Sequence, residues 1–344
     1  MKRHRQISLL IPVWLGLLAA TASAQTAITA ITTTSSDLAN TNTNGVTFEN
    51  STLAVSTFTS ATGNTYTFSG TGVAAYARRN GVNANQSSVW YMQGSPTTEF
   101  RAPYSSNYSS LLLGNNLYRG SDNTFANGSG AQDGNIERLD FVLSTSGTAA
   151  TTDMAFAIFD RGAINVHDQV KIALITGWDS VNNKPTAYAG NLISITSANY
   201  GTANVVGNGT YNLFRYGNGD NLGSPSYWNS NSETGTQGIG GVVVTLADLG
   251  IAAGTTIYGY SLFGNDVTNG GNMSNLVDWS NAAYYPTSTS NATGTGGIDL
   301  AAVNGVMFRR YPEPSTYGAI LLGAGFAIFG LRRWRSTHGK TAAH

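Results

Sequence analysis

Residues 138–175 read RLDFVLSTSGTAATTDMAFAIFDRGAINVHDQVKIALI, and their pattern decides the fold class. Leu139, Phe141 and Leu143 recur every second residue, as do Met154, Phe156 and Ile158, and then Val170, Ile172 and Leu174. A period of two belongs to half-buried β-strands, because successive side chains of a strand point to opposite faces. Gly147 and its Ser/Thr neighbours separate the first two runs, and Asp160-Arg161-Gly162 separates the second and third. Three antiparallel strands in succession are therefore expected.

The same signals extend in both directions. Upstream, Val46 and Phe48, then Tyr66 and Phe68, then Val89 to Met92 form short apolar runs bounded by Gly, Asn, Ser or Pro. Residues 25–45 are rich in Thr, Ser and Asn and read as an extended or flexible arm, and residues 96–130 as an irregular stretch with long loops. Downstream, a turn at residues 179–185 precedes a strand at Leu192 to Ile195. Residues 217–238, nearly devoid of apolar side chains, read as a long polar loop. Residues 246–251 suggest one helical turn ended by Gly250. Thr255 to Phe263 reads as an inner strand with Tyr258, Tyr260 and Leu262 on one face and Ile257 and Phe263 on the other. No fixed repeat appears, so the expectation for residues 46–311 is an all-β body, a jelly-roll-like β-sandwich with long polar loops.

Both ends of the chain depart from this composition. Lys2, Arg3 and Arg5 precede an apolar run from Ile7 to Ala20, closed by Ala22-Ser23-Ala24, which has the form of a secretory signal peptide over residues 1–24 cut after Ala24. Three of the chain's eighteen basic residues lie there, and four lie beyond residue 311 with Glu313. Residues 25–311 thus keep eleven basic and seventeen acidic side chains, a balance that disfavours nucleic acid as a partner. The chain has no cysteine, so an exported body must be held by its core and not by disulfides.

The C-terminal stretch is organised in three parts. Pro312-Glu313-Pro314 fixes two φ angles and biases the preceding residues toward extended backbone. Tyr317 to Leu331 follows, fifteen residues without a charge. As helix they span roughly 22 Å, and with flanking residues they approach bilayer thickness. Arg332, Arg333 and Arg335 then form a cluster of the kind that stays cytoplasmic and stops translocation. Motif, apolar span and Arg cluster, over residues 312–335, resemble the PEP-CTERM sorting signal, a tail also catalogued as an ice-binding protein C-terminal domain. The resemblance implies a single transmembrane helix, recognition by the membrane-embedded exosortase, cleavage near the motif, and delivery of the body to the cell surface or extracellular polysaccharide. Export then involves the Sec translocon and signal peptidase, with the inner membrane as a transient station and residues 336–344 as a cytoplasmic tail.

Catalytic chemistry is sparse in the body. His167 is its single histidine, which with no cysteine excludes the usual zinc sites. Asp160 and Asp168 stand near it in sequence, but no G-x-S-x-G elbow supplies a nucleophile. Glu137 and Asp140 are candidate paired carboxylates, yet three residues apart on a strand they face opposite ways; Glu137 with Asp153 or Asp160 is the remaining pairing, and Arg138 and Arg161 offer ion pairs instead. Calcium ligands are sought at Asn218, Asp220 and Asn221, and at Asp122, Asn123 and Asp133, although such residues are first of all turn formers. Sugar stacking is sought at Tyr227 and Trp228 among the aromatic residues. Threonines at 32–34 and within 65–71 form no regular array of the kind ice binding needs. The expectation is a non-enzymatic surface or matrix protein without an obligate cofactor; the alternative is a carbohydrate-binding module or glycoside hydrolase.

Overall fold

A computed structural model describes residues 25–311, apart from residues 37–41, 44–45, 50–51, 80–87, 94–100, 104–110, 129–135, 164–165, 204–207, 217–227 and 293. In chain order the strands begin with β1 (Thr26–Ser36), β2 (Asn42–Thr43), β3 (Val46–Glu49), β4 (Thr52–Ser60), β5 (Thr65–Thr71), β6 (Ala74–Arg78) and β7 (Ser88–Gln93). Next come β8 (Arg101–Pro103), β9 (Gly114–Asp122), β10 (Arg138–Val142), β11 (Thr148–Ala149), β12 (Met154–Ala163), β13 (Val170–Asp179) and β14 (Lys184–Ile195). The last are β15 (Gly201–Ala203), β16 (Asn208–Tyr216), β17 (Trp228–Thr245), β18 (Thr256–Ile257), β19 (Gly259–Gly264), β20 (Leu300–Asn304) and β21 (Val306–Arg310). Helix is reduced to short turns such as Ser197–Asn199 and Met273–Leu276, and among the described residues none is long and apolar enough to cross a membrane.

Six of these strands close on themselves. β1 pairs with β4, β4 with β5, β5 with β21, β21 with β12, β12 with β17, and β17 returns to β1. Each of the six sends side chains into one core, among them Ile28, Phe58, Tyr66, Phe159, Val243 and Phe308. The ring removes the exposed edges that an open sheet would present. β20 and β21 act as one bent strand along β12, with the bend at Gly305 at φ +61, where an added Cβ would lie 2.4 Å from Leu113 Cδ2.

A five-stranded sheet, β14-β13-β19-β10-β6, lies against the wall of the ring. Met154, Phe156 and Ile158 of β12 and Val242 and Val244 of β17 meet Leu139, Phe141, Ile172, Leu174, Tyr260 and Leu262 of the sheet in the largest core. The outer face of the sheet carries Ala173, Ile175, Tyr188 and Phe263, covered by Val267, Leu276 and Tyr285 from residues 265–299. That cover is built from turns: Asn269, Asn272, Asp278 and Asn281 each accept through Oδ1 from the backbone N–H two residues on, at 3.0–3.1 Å. Asn and Asp are frequent there because their side chains substitute for backbone acceptors in a chain without ladders.

Several expectations are corrected. β10, β12 and β13 are not neighbours in succession: β10 and β13 flank β19 in the five-stranded sheet, while β12 belongs to the ring. The chain crosses between layers at each connection, which suits strands that are apolar on both faces. Residues 26–36, expected as an arm, are strand β1, whose Thr and Ile side chains favour extended backbone and whose Ile28 is fully buried. Residues 228–238, expected as loop, are strand: the first half of β17 pairs with β16 in a polar ribbon before the second half joins β12. Residues 96–130 contain β8 and β9. The inner strand at residues 255–263 is buried on both faces, but its alternation resets at Tyr258, whose carbonyl accepts from both Leu143 N and Ser144 N. Two residues opposite one is the mark of a bulge, and it places Ile257 with Tyr260 and Leu262 while Tyr258 packs beside Phe263.

Candidate functional site

The only histidine of the body sits where β12 leaves the ring for β13. His167 Nδ1 lies 3.4 Å from Asp160 Oδ2, and its ring lies flat on Gly240, where an added Cβ would come within 2.3 Å of it. Gly240 thus belongs to the site, because any larger residue on β17 would displace the imidazole. The Tyr200 ring is 5.1 Å away, centroid to centroid. Asp160 also accepts from Asp168 N at 2.9 Å and from Asp299 N at 3.0 Å. Burial pushes its carboxyl up to about 6, against the opposing effects of the nearby His167 ring and the hydrogen bond from Asp168 N.

Beside it, Arg161 Nη2 bridges Asp299 Oδ2 at 2.6 Å and Asp122 Oδ1 at 3.1 Å. Burial first, and the neighbouring Asp122 carboxylate second, hold the Asp299 carboxyl well above the usual range. The Arg161 guanidinium between the two carboxyl groups opposes that rise. Asp168 Oδ1 accepts from Gly294 N at 2.8 Å, and Asp299 Oδ1 from Asn123 N at 3.1 Å. The cluster therefore joins the ring, the β12–β13 crossover and the far end of the 265–299 cover.

A second ionic group clips the other part of that cover. Asp140 accepts from Arg138 Nε at 2.6 Å, Arg78 Nε at 2.7 Å and Ser261 Oγ at 2.7 Å, with the side chains of Arg138 and Asp140 fully buried. Burial works against the Asp140 charge, but Arg138 and Arg78 outweigh it and hold the pKa below the ordinary value. Arg138 Nη1 donates to Leu276 O at 2.6 Å and Val277 O at 3.0 Å, which fastens the cover to the sheet. Glu137 lies apart from this group: its Oε1 accepts from Asn127 Nδ2 at 2.9 Å, and burial pushes its carboxyl up to about 7.

The carboxylates considered for hydrolysis are thus dispersed. Asp153 pairs with Arg309 at 3.0 Å near the start of β12, Asp160 faces His167, and Glu137 faces Asn127. The structure brings Asp160 and His167 together, yet His167 makes no hydrogen bond to a serine among the described residues. Asp122 is engaged with Arg161, and Asn123 occupies a turn at φ +45. Among the described residues no three of His, Asp and Glu are placed to hold a metal ion. Asn218, Asp220, Asn221 and Tyr227 lie outside the described residues, as do Asp133, Ala22, Ala24, Pro312, Glu313, Pro314, Arg332, Arg333 and Arg335. The backbone of Trp228 is described, and it pairs with Tyr216.

Sequence reasoning passed over a cleft of 420 Å³ on the outer face of the five-stranded sheet, lined by Lys171, Asn191, Ser194, Thr268, Asn269 and Met273 among others. Its residues come from three separated segments of no special composition, so no local signal announces it. A smaller cavity of 250 Å³ adjoins Arg310, Asp153 and Thr245, where the described chain ends. No family model, no curated protein and no solved structure matches this chain.

Proposed function

We propose that this chain is an exported surface or matrix protein, structural or adhesive in role, whose body is delivered by signal-peptide cleavage and exosortase sorting. The ordered succession of Pro312-Glu313-Pro314, the uncharged run Tyr317 to Leu331 and the cluster Arg332, Arg333 and Arg335 carries this reading. Within it, Tyr317 to Leu331 is a temporary transmembrane helix, and the body is a variation on a jelly-roll-like sandwich.

The position of the chain ends supports it. Ala61 N donates to Ala27 O at 2.8 Å and Tyr311 N to Thr65 O at 2.7 Å, so both ends leave the ring beside the single turn joining β4 to β5. Cleavage after Ala24 spares β1, which starts at Thr26, and cleavage near Pro312 spares β21, which ends at Arg310. Both signals are thereby removable without breaking a strand. A body tethered at this end points the β16–β17 hairpin away from the bilayer, since that ribbon continues past the opposite end of β12.

Fractionation of the native host tests the proposal. Wild-type protein is expected in the surface or medium fraction, and Glu313→Ala in the inner membrane with its tail attached. Wild-type protein that stays in the inner membrane, or a variant that is sorted normally, overturns it.

A further inference from the structure

Four carboxyl groups share one mostly buried cluster with a guanidinium and an imidazole. Asp160 and Arg161 come from β12, Asp122 from β9, His167 and Asp168 from the β12–β13 crossover, and Asp299 from the segment before β20. β17 contributes Gly240, which has no side chain, and the Tyr200 phenol is the further titratable neighbour. Arg161 is committed to Asp122 and Asp299. His167 is buried, and neither ring nitrogen makes a hydrogen bond among the described residues, Nδ1 standing 3.4 Å from Asp160 Oδ2. With Asp122, Asp160, Asp168 and Asp299 all ionised, the acids outnumber these two bases.

Backbone is fastened through these acids. Asp168 N and Asp299 N donate to Asp160 at 2.9 and 3.0 Å, Gly294 N to Asp168 at 2.8 Å, and Asn123 N to Asp299 at 3.1 Å. The carboxyls therefore hold residues 294–299 against the crossover and the end of β9. Their proton affinities all move the same way: burial raises Asp160 and Asp168, and burial with the Asp122 charge raises Asp299. A carboxyl raised in the folded state contributes stability that is complete below its ordinary value, 3.8, and is lost as pH rises through the folded value, about 6 for Asp160. Each further ionisation adds a like charge that one guanidinium does not balance. The side chain of Asp160 is 1% exposed and that of Asp299 21%, so lifting the 294–299 segment is the shortest way to hydrate the new charge.

We propose that the cluster is a proton-operated clasp: mild acid keeps residues 294–299 fastened to the β12–β13 crossover, and mild alkali releases them by carboxylate repulsion. The clasp is independent of sorting, and its test needs no host cell. Detergent-solubilised full-length protein is followed by hydrogen–deuterium exchange from pH 5 to pH 8, with rates expressed as protection factors so that the chemical effect of pH is removed. Protection of residues 294–299 is expected to fall by about tenfold or more over this range, and at pH 8 to lie below that of β13 and β19. Asp299→Asn is expected to abolish most of the fall. Asp168→Asn, which keeps an acceptor for Gly294 N and cannot ionise, is expected to reduce it severalfold, and decides the matter if Asp299→Asn does not fold. Glu137 ionises in the same range but holds Pro286 through Asn127, and both variants leave it intact. Protection that is constant or rises with pH, a wild-type fall in Asp168→Asn, or protection at pH 8 equal to that of β13 and β19 would each overturn the clasp.

Discussion

Single side chains in this protein show how buried charge is put to structural use. Glu137 has a folded-state pKa of about 7 against an ordinary 4.5, with burial as the principal cause. Between those values the folded protein holds a proton that the unfolded chain has lost. Its contribution to stability is therefore complete below about pH 4.5 and disappears as pH rises through 7. A shift of this size corresponds to roughly 3 kcal/mol. Glu137→Gln keeps an acceptor for Asn127 and cannot ionise, so its thermal stability is expected to fall less than that of the wild type from pH 5 to pH 8. The difference should be on the order of 5 °C in Tm, measured by circular dichroism; parallel profiles would refute the assignment. Asp160 titrates in a similar window in both proteins, so only the difference is informative. The sequence named Arg138 as an ion-pairing residue but not its partner, although Arg138 and Asp140 are two residues apart on one strand and share a face. It did not reveal the pairing of Arg161 with Asp299, which lies 138 residues away.

At the scale of elements, periodicity identified strands well wherever one face or both faces were strongly apolar. β10, β12, β13 and β19 fall in this group because each borders the largest core. β12 is a case in which pattern understated the result: Met154, Phe156 and Ile158 face the five-stranded sheet, while Ala155, Ala157 and Phe159 face the interior of the ring. Small residues suit a narrow barrel interior, and a strand serving two cores loses its polar face. The first half of β17, WNSNSETGT, carried no such signal, since its sequence has no alternation of apolar and polar residues to read. Which strands share a sheet was not legible either, because crossing between layers leaves no mark on local pattern. The 265–299 cover received no assignment from its sequence, and its attachment depends on the distant Arg138. Replacing Arg138 leaves Asp140 buried beside a single arginine and frees two carbonyls of the cover. Arg138→Met is expected to destabilise the protein by roughly 3–5 kcal/mol. Limited proteolysis should cut within residues 265–299 before the sheets. Cleavage first within the ring strands would contradict the role given to Arg138.

Taken as a whole molecule, the body is a closed ring backed by a sheet and a turn-rich cover, and it achieves this without a disulfide. Closure of the six described strands leaves none of them as an open edge, which would suit the proposed location outside the cell. Residues 27 and 311, near the two limits of the described body, lie beside one hairpin, and the segments beyond them hold the proposed export and sorting signals. The proposed signals rest on local features alone: a charge step, an apolar run and a fixed motif need no tertiary context. The clefts and clips of the body were not legible, since each is assembled from segments that only the fold brings together. The central claim is that the tail is a removable address and that the ring is what remains. Intact-mass measurement of the protein recovered from the cell surface tests this most directly. The account predicts a species beginning at Gln25 and ending near Pro312 to Pro314, apart from any group attached there. A mass that retains residues 317–335 would contradict it.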